Sequence, residues 1–170
     1  MPPPHSKLDA PTANVSLIKY KAPTSEVIWV GPIRLDVLED GGNTDRRISA
    51  VYITVPPRTP GPAQHWHQMH DETFLVMSGV ATFTSREAKF TAEKGDYVVV
   101  PICSPHTFGN DSETEELVMY NTFTPAFYID YFRLMAQMAR EAPDGKLTPQ
   151  MAREAMGRYA TLQTGLTKEY

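Results

Sequence analysis

Two histidines one residue apart, followed by a glutamate, constrain this chain more than any other feature. His65 and His67 flank Trp66, and Glu72 opens an apolar run five residues after His67. In a β-strand, side chains two residues apart point to the same face, so the two imidazoles can converge on one point while Trp66 points away and packs. A third imidazole, His106, stands near a later strand. Three histidines and one carboxylate suit a divalent transition metal.

The two remaining histidines are not expected to take part in this cluster. His70 lies in the turn between His67 and Glu72, so we expect it on the surface. His5 stands in a proline-rich segment, and we expect no specific role for it. The sequence therefore predicts a mixed nitrogen and oxygen site built from four side chains.

Composition excludes several classes of function. The chain has 170 residues, of which 41% are hydrophobic, enough for one domain with a real core. A net charge of −4 without a basic run argues against nucleic acid as a partner. One cysteine excludes an internal disulfide, and no apolar stretch approaches the ~20 residues of a membrane span. The first residues do not resemble a signal peptide. We therefore expect a soluble, cytoplasmic protein without a membrane partner.

Short apolar or alternating runs separated by turn residues predict an all-β sandwich or barrel. We expect residues 1–14 to form a flexible arm and residues 15–124 to form the barrel. The predicted strands cover residues 15–20, 26–30, 33–38, 48–55, 64–67, 72–77, 80–85, 89–92, 97–100, 106–108 and 117–124.

The last part of the chain, residues 125–170, predicts helices packed on the barrel. Residues 125–141 have a broad apolar face at helical spacing, which favours a packing role; a lid over the barrel mouth is the alternative. Thr148 can cap a second helix with Pro149 at its first position, and residues 151–162 continue it. The histidine-rich unit is not repeated, so one site per chain is expected.

Further residues stand at regular distances from the histidines: Gly79 follows Glu72, and Gly95, Pro101 and Asn110 surround His106. With these positions, the two segments resemble the paired motifs of the cupin superfamily. Gly61 stands closer to His65 than in the family pattern, and Cys103 occupies a position that is usually glycine. A residue with positive φ there would be strained as cysteine, so the loop before His106 is expected to differ. Beyond the motifs, the layout is similar to single-domain, quercetin 2,3-dioxygenase-like cupins. The matching residues are His65, His67, Glu72 and Gly79 in the first motif, and Gly95, Pro101, His106 and Asn110 in the second.

The resemblance implies a double-stranded β-helix (a jelly-roll barrel) with a C-terminal helical tail. It implies metal ligands at His65, His67, Glu72 and His106, with Glu72 also acting as the catalytic base that accepts a proton from a substrate hydroxyl. Ligand type alone does not choose among Fe, Mn, Ni, Co, Cu and Zn. In that family O2 then cleaves the ring of a bound flavonol.

Alternation along the motif strands places several side chains on the metal side of the barrel. On the facing strand the phase is open: either Tyr52 and Thr54 or Val51 and Ile53 point inward. No Arg or Lys falls on the metal-facing phase of the motif strands, which weakens a phosphosugar as substrate. A flat, partly aromatic molecule fits better. The predicted pocket residues are Tyr52, Phe74, Val76 and Phe108.

These observations leave three functions open. The first is a metal-dependent dioxygenase acting with O2 on a phenolic or polyketide-like small molecule. The second is a decarboxylase, isomerase, dehydratase or cyclase that uses the metal as a Lewis acid. The third is a small-molecule binding module without turnover. We also expect a homodimer, because sheet edges and an apolar outer barrel face need cover.

Overall fold

Antiparallel strands make up most of the chain, which the computed structural model describes at residues 18–19 and 26–164. No helix in these residues is long and apolar enough to cross a membrane. The helices are α1 (Tyr128–Glu141) and α2 (Pro149–Arg158). The strands are β1 (Val27–Val30), β2 (Ile33–Glu39), β3 (Ser49–Val55), β4 (Thr59–Pro60), β5 (His65–His67), β6 (Asp71–Ser78), β7 (Val80–Ser85), β8 (Ala88–Glu93), β9 (Tyr97–Val100), β10 (Thr107–Asn110), β11 (Leu117–Thr124) and β12 (Thr161–Gln163).

Two main sheets enclose one core. The six-stranded sheet has the order β1-β2-β3-β11-β6-β9, and the four-stranded sheet has the order β4-β10-β7-β8. Phe74 of the first sheet meets Phe83 and Phe108 of the second, with ring centroids 5.3 and 5.4 Å away. This arrangement is the double-stranded β-helix that the sequence predicts, with the two helices following the last barrel strand.

Alternation explains which side chains enter the core. Along β6, Glu72, Phe74 and Val76 are buried, while the residues between them are partly exposed. Other strands of the sheet follow the same rule: Asn121 of β11, which pairs with β6, and Ile53 of β3, the strand beyond β11, are also buried. A strand with one buried face has a strongly specified register, so the position of Glu72 in the interior is fixed by its apolar neighbours.

The C-terminal segment differs from the prediction after Arg158. Thr148 caps α2 as expected, its hydroxyl accepting from the Met151 amide at 3.2 Å, but the helix ends before residue 162. Ala160 adopts a positive φ of 49°, which reverses the chain. The next residues form β12, which pairs with β5 so that Thr161 lies opposite His67. The strand carrying two histidines is thus held by the far end of the described chain.

Arg133 links helix α1 to the barrel. Arg133 donates to both carboxylate oxygens of Glu26, at 2.9 and 2.6 Å, and also to Asp40 and Asp130. Bidentate pairing of a guanidinium with a carboxylate defines orientation as well as distance. The predicted arm at residues 1–14 lies outside the described residues, as does the predicted strand at residues 15–20 apart from Ile18 and Lys19, which are not in a strand.

Two glycines of the motif regions are required by their surroundings. A Cβ on Gly61 would lie 1.8 Å from the Phe108 carbonyl oxygen, so this position tolerates no side chain. Gly79 has a φ of 76°, and a Cβ there would lie 2.5 Å from the Glu116 carbonyl oxygen. The absence of a side chain at Gly61 therefore lets its loop pass close to β10, even though the spacing from Gly61 to His65 departs from the family pattern.

The structure places Cys103 at the positive φ that normally favours glycine. Its φ is 66°, and its amide donates to the His67 carbonyl at 2.7 Å. The turn is closed by the Ser104 amide, which donates to the Pro101 carbonyl at 3.0 Å. The loop therefore keeps the backbone that a glycine would adopt, and Cys103 bears the strain.

Replacing Cys103 with glycine is expected to stabilise the protein. Relief of the left-handed conformation is worth about 1 kcal/mol, partly offset by the greater freedom of glycine in the unfolded chain. Urea unfolding of Cys103→Gly should give a higher free energy of unfolding than wild type. Ser104→Gly, one residue on, is the control and should give a lower value. A destabilised Cys103→Gly protein would contradict the strain.

Candidate metal centre

The structure brings the four predicted ligands together in the barrel interior. Strand β5 puts His65 and His67 on one face, and β6 brings Glu72 to them. His106 joins them because its backbone pairs with His65, with reciprocal amide-to-carbonyl bonds of 3.0 and 2.8 Å. All four are buried, and each histidine offers a ligand atom within 4.8 Å of those of the other two.

Backbone carbonyls orient two of the imidazoles. His65 Nδ1 lies 2.8 Å from the Ala63 carbonyl oxygen, and His106 Nδ1 lies 3.1 Å from the Ser104 carbonyl oxygen. A carbonyl can only accept, so Nδ1 has the hydrogen in both rings and Nε2 of the neutral ring has the free lone pair. Such fixing of the outer nitrogen is characteristic of metal-binding histidines.

His67 is oriented by the C-terminal strand. Its Nδ1 lies 3.0 Å from Thr161 Oγ1, and the threonine hydroxyl in turn donates to Tyr128 Oη at 3.3 Å. Because the Thr161 hydroxyl donates its proton to Tyr128, the Thr161 oxygen can accept a hydrogen bond from Nδ1–H of His67. The third imidazole then also presents a bare Nε2 to the cluster.

Glu72 lies beside the Nε2 atoms of His67 and His106. Its Oε2 is 3.2 Å from His67 Nε2 and 3.1 Å from His106 Nε2, while Asn121 Nδ2 donates to its Oε1 at 3.0 Å. Two lone-pair nitrogens and a carboxylate oxygen at these distances repel one another unless a cation or a shared proton lies between them. The residues therefore fit a divalent transition metal held by His65, His67, Glu72 and His106.

The acid–base properties of Glu72 and His65 agree with this fit, whereas those of His106 favour a proton shared with Glu72 when no metal is bound. Burial would raise the pKa of Glu72, but hydrogen bonds from His106 and His67 outweigh burial and hold it well below its usual value. Burial, with the nearby His106 and His67, lowers the pKa of His65 to about 3. Burial also acts to lower the pKa of His106, yet the contact with Glu72 raises it overall. A neutral imidazole and an ionised carboxylate are the forms that bind metals.

His70 corrects the sequence analysis, which expected it on the surface. It is 3% exposed, and its ring lies 4.0 Å from that of His67 and 4.3 Å from that of Tyr128. The turn is covered by α1 and by Phe123, whose ring lies 5.6 Å from that of His70. Burial, followed by the charge of His67, lowers the pKa of His70 to about 3. His67, His70 and Glu72 form a second group with ligand atoms within 4.8 Å.

A cavity of about 570 Å³ opens onto this cluster. His65, Glu72 and His106 line its polar part. Burial raises the pKa of Tyr131 to about 12, so its hydroxyl is neutral and can donate. The remaining wall comes from the barrel and α1 and is largely apolar: Leu35, Ile53, Phe108, Tyr128, Phe132 and Met135.

The predicted pocket residues are only partly correct. Phe108 lines the cavity as predicted, and Phe74 and Val76 point inward but are buried in the core instead of lining the cavity. Tyr52 is wrong: it packs edge-on against Tyr120 at 5.9 Å, half-buried, because β3 turns its other phase inward. The open choice of phase on β3 is therefore resolved in favour of Ile53, which does line the cavity.

Two cations at the cavity were missed by the sequence analysis. Lys146 and Arg153 line it from the loop before α2 and from α2 itself, and both side chains are exposed. Within residues 26–164, neither forms an ion pair. The motif strands gave no signal for them, because they reach the cavity from a part of the chain whose packing position the sequence does not specify.

Comparisons with known proteins support the cupin superfamily. Residues 51–123 match the cupin domain family, and this stretch contains all four candidate ligands. No curated protein matches the chain in sequence. The fold is the cupin double-stranded β-helix, as several solved structures show.

An RmlC-like cupin from Shewanella frigidimarina is 19% identical, with 66% of this chain and 93% of that chain covered at a TM-score of 0.54. A Cupin 2 conserved barrel domain protein from Salinispora arenicola is 22% identical, with coverages of 71% and 98% and a TM-score of 0.50. A sugar phosphate isomerase from Silicibacter pomeroyi is 19% identical at a TM-score of 0.50, with 55% of this chain covered. The match spans 59% of that isomerase, so the chain corresponds to about three fifths of its length. At these identities the likeness shows the fold alone.

Removing a single imidazole is expected to empty the centre. His67→Ala and His106→Ala each delete a donor whose neighbours are rigidly held, so metal content after purification without added metal should fall sharply in both. Elemental analysis measures this directly. His5→Ala, which changes a histidine outside the described residues, is the control and should keep the wild-type content. Full occupancy in both cluster variants would refute the ligand assignment.

Metal-free protein is expected to lose stability as the pH falls from about 6.5 towards 3. In this window the unfolded chain protonates its histidines, whereas His65 and His70 stay neutral when folded, so the unfolded state binds more protons and the free energy of unfolding falls. His70→Phe removes one such group. Its melting temperature in chelator-treated buffer should therefore decline less between about pH 7 and about pH 5 than that of wild type. If the melting temperatures of wild type and His70→Phe fell equally with pH, buried neutral His70 would not be a cause of the acid destabilisation.

Proposed function

We propose that this chain is a metal-dependent enzyme of the non-oxidative type, a decarboxylase, isomerase, dehydratase or cyclase, acting on a small and largely apolar molecule. The observation behind the proposal is the opening of the buried donor cluster onto the apolar cavity, with His65, Glu72 and His106 in the cavity wall. A structural metal site is closed on all sides, whereas a catalytic one keeps room for substrate. The isomerase from Silicibacter pomeroyi provides a non-oxidative precedent for the fold.

The residues of the cluster and of the cavity wall have different chemical roles. When held by His65, His67, Glu72 and His106, a divalent transition metal supplies Lewis acidity that polarises a substrate oxygen. Glu72 is ionised, with the Asn121 amide at its Oε1 and the Nε2 atoms of His67 and His106 at its Oε2, so this carboxylate is the group that would accept a proton from a substrate hydroxyl. Tyr131 is neutral and lies in the wall of the same cavity, so its hydroxyl can donate to a substrate oxygen.

The shape and charge of the cavity describe the substrate. Apolar walls exclude a sugar phosphate from the interior, because its hydroxyl groups would lose their hydrogen bonds to water. Lys146 and Arg153 add two exposed positive charges at the cavity. A molecule with an apolar or aromatic body and one carboxylate or phosphate group matches both features, the anion lying at the two cations.

A dioxygenase of the quercetin 2,3-dioxygenase-like branch is the second candidate. The aromatic side chains of Phe108, Tyr128 and Phe132 in the cavity wall favour it, because a flat phenolic molecule would pack well against them. Both candidates use the same centre and differ in whether O2 is consumed.

Product analysis with and without O2 tests the proposal. Metal-loaded protein would be incubated with a panel of aryl and hydroxy carboxylic acids and phenolic compounds, in an anaerobic chamber and in an oxygen electrode. Turnover at equal rates in both supports the non-oxidative enzyme. Turnover that requires O2 and consumes it replaces the proposal with the dioxygenase. Tight binding of a compound that is never converted would instead indicate a binding module.

Glu72→Gln is expected to separate metal binding from catalysis. Glutamine keeps an oxygen donor and the size of the side chain but cannot accept a proton. The variant should retain much of its metal and lose turnover by roughly 10²–10⁴-fold, as general-base removal does. Glu93→Gln, an exposed carboxylate on β8, is the matched control and should leave turnover unchanged. Near-normal turnover in metal-loaded Glu72→Gln protein would rule out the base role.

A further inference from the structure

His70 is a buried imidazole that the four-donor centre does not use. Its ring lies between those of His67 and Tyr128, at 4.0 and 4.3 Å, and it is 3% exposed. Its Nε2 has no hydrogen-bond partner among the described residues. An unpartnered buried nitrogen beside a cluster of ligands points to a binding partner outside the chain.

Packing alone does not explain a histidine at this position. Leaving a buried polar group unsatisfied costs about 1–3 kcal/mol. A phenylalanine would fill the same space between His67 and Tyr128 without that cost, and the neighbouring Phe123 shows that the region accommodates an apolar ring. We therefore expect Nε2 of His70 to bind a group that is not part of the described chain.

We infer that His70 is an additional metal donor, so that the centre has four imidazoles and one carboxylate. The geometry behind this inference is the group formed by His67, His70 and Glu72, whose ligand atoms all lie within 4.8 Å of one another. This group shares His67 and Glu72 with the four-donor set. The inference depends on the metal centre and not on the reaction proposed above.

A fifth protein donor would reduce the number of positions on the ion that substrate or O2 can occupy. Five protein ligands leave one position on a six-coordinate ion. One position is enough to polarise a single substrate oxygen, as Lewis-acid catalysis requires. A reaction in which O2 and a chelating substrate must both bind the ion needs more open positions.

Counting the imidazoles on a bound ion in the unmodified protein is the first test. Wild-type protein would be loaded with one equivalent of Cu(II), and pulsed electron paramagnetic resonance would count the coordinated imidazole rings. Four rings support the inference. Three rings, or no bound Cu(II) at all, overturn it, and the second result would also overturn the four-donor centre.

Two substitutions separate a donor from a packing residue. Co(II) affinity and visible absorption would be measured for His70→Phe, which keeps an aromatic ring, and His70→Leu, which does not. A donor role predicts that both variants bind Co(II) at least about 10-fold more weakly and absorb more strongly, because the coordination number falls. Wild-type affinity and spectrum in His70→Phe, whatever His70→Leu does, would overturn the inference and leave His70 as a packing residue. Circular dichroism would confirm that each variant is folded.

Discussion

The mutual repulsion of buried lone pairs is the constraint on which the candidate site depends. Carbonyl oxygens accept from Nδ1 of His65 and His106, so Nε2 of each neutral ring has no hydrogen, and that of His106 lies 3.1 Å from Glu72 Oε2. Repulsion between these donors is relieved by a cation or by a shared proton, and a divalent transition metal fits all of them. The rest of the barrel can be understood as the frame that holds these donors at that separation, with the aromatic contacts of Phe74 joining the two sheets beneath them.

Strand periodicity made much of the fold and the positions of the candidate donors predictable. The spacing of His65 and His67 and the apolar alternation after Glu72 specify which faces turn inward, and the structure agrees with both. Tyr52 was misplaced because both phases of β3 contain apolar or aromatic residues, Tyr52 in one and Val51 and Ile53 in the other, so its sequence alone does not choose a face. The cupin fold was predictable from the paired motifs, whereas the branch within the superfamily was not, because much of the cavity wall comes from residues outside the motifs.

Elements distant in sequence account for the other differences. His70 occupies a turn, and turns are usually exposed, but α1 covers this one with Tyr128. Lys146 and Arg153 reach the cavity from the helical segment. The periodicity of a helix predicts which of its faces is buried but not where on the barrel it packs. The same segment contributes Thr161, which orients His67. Local patterns thus locate the donors, while the groups that tune them and line the cavity depend on tertiary packing.

The pairing of β12 with β5 has a consequence for biosynthesis. Thr161 lies 94 residues after His67, so during translation the ligand strand is made long before the strand that holds its free side. His65 and His106 are oriented by carbonyl groups two residues away in sequence, so those contacts can form early, whereas His67 gains its oxygen partner only once residues 161–163 have been made. The orientation of the four candidate donors is therefore completed by one of the last described segments to be synthesised.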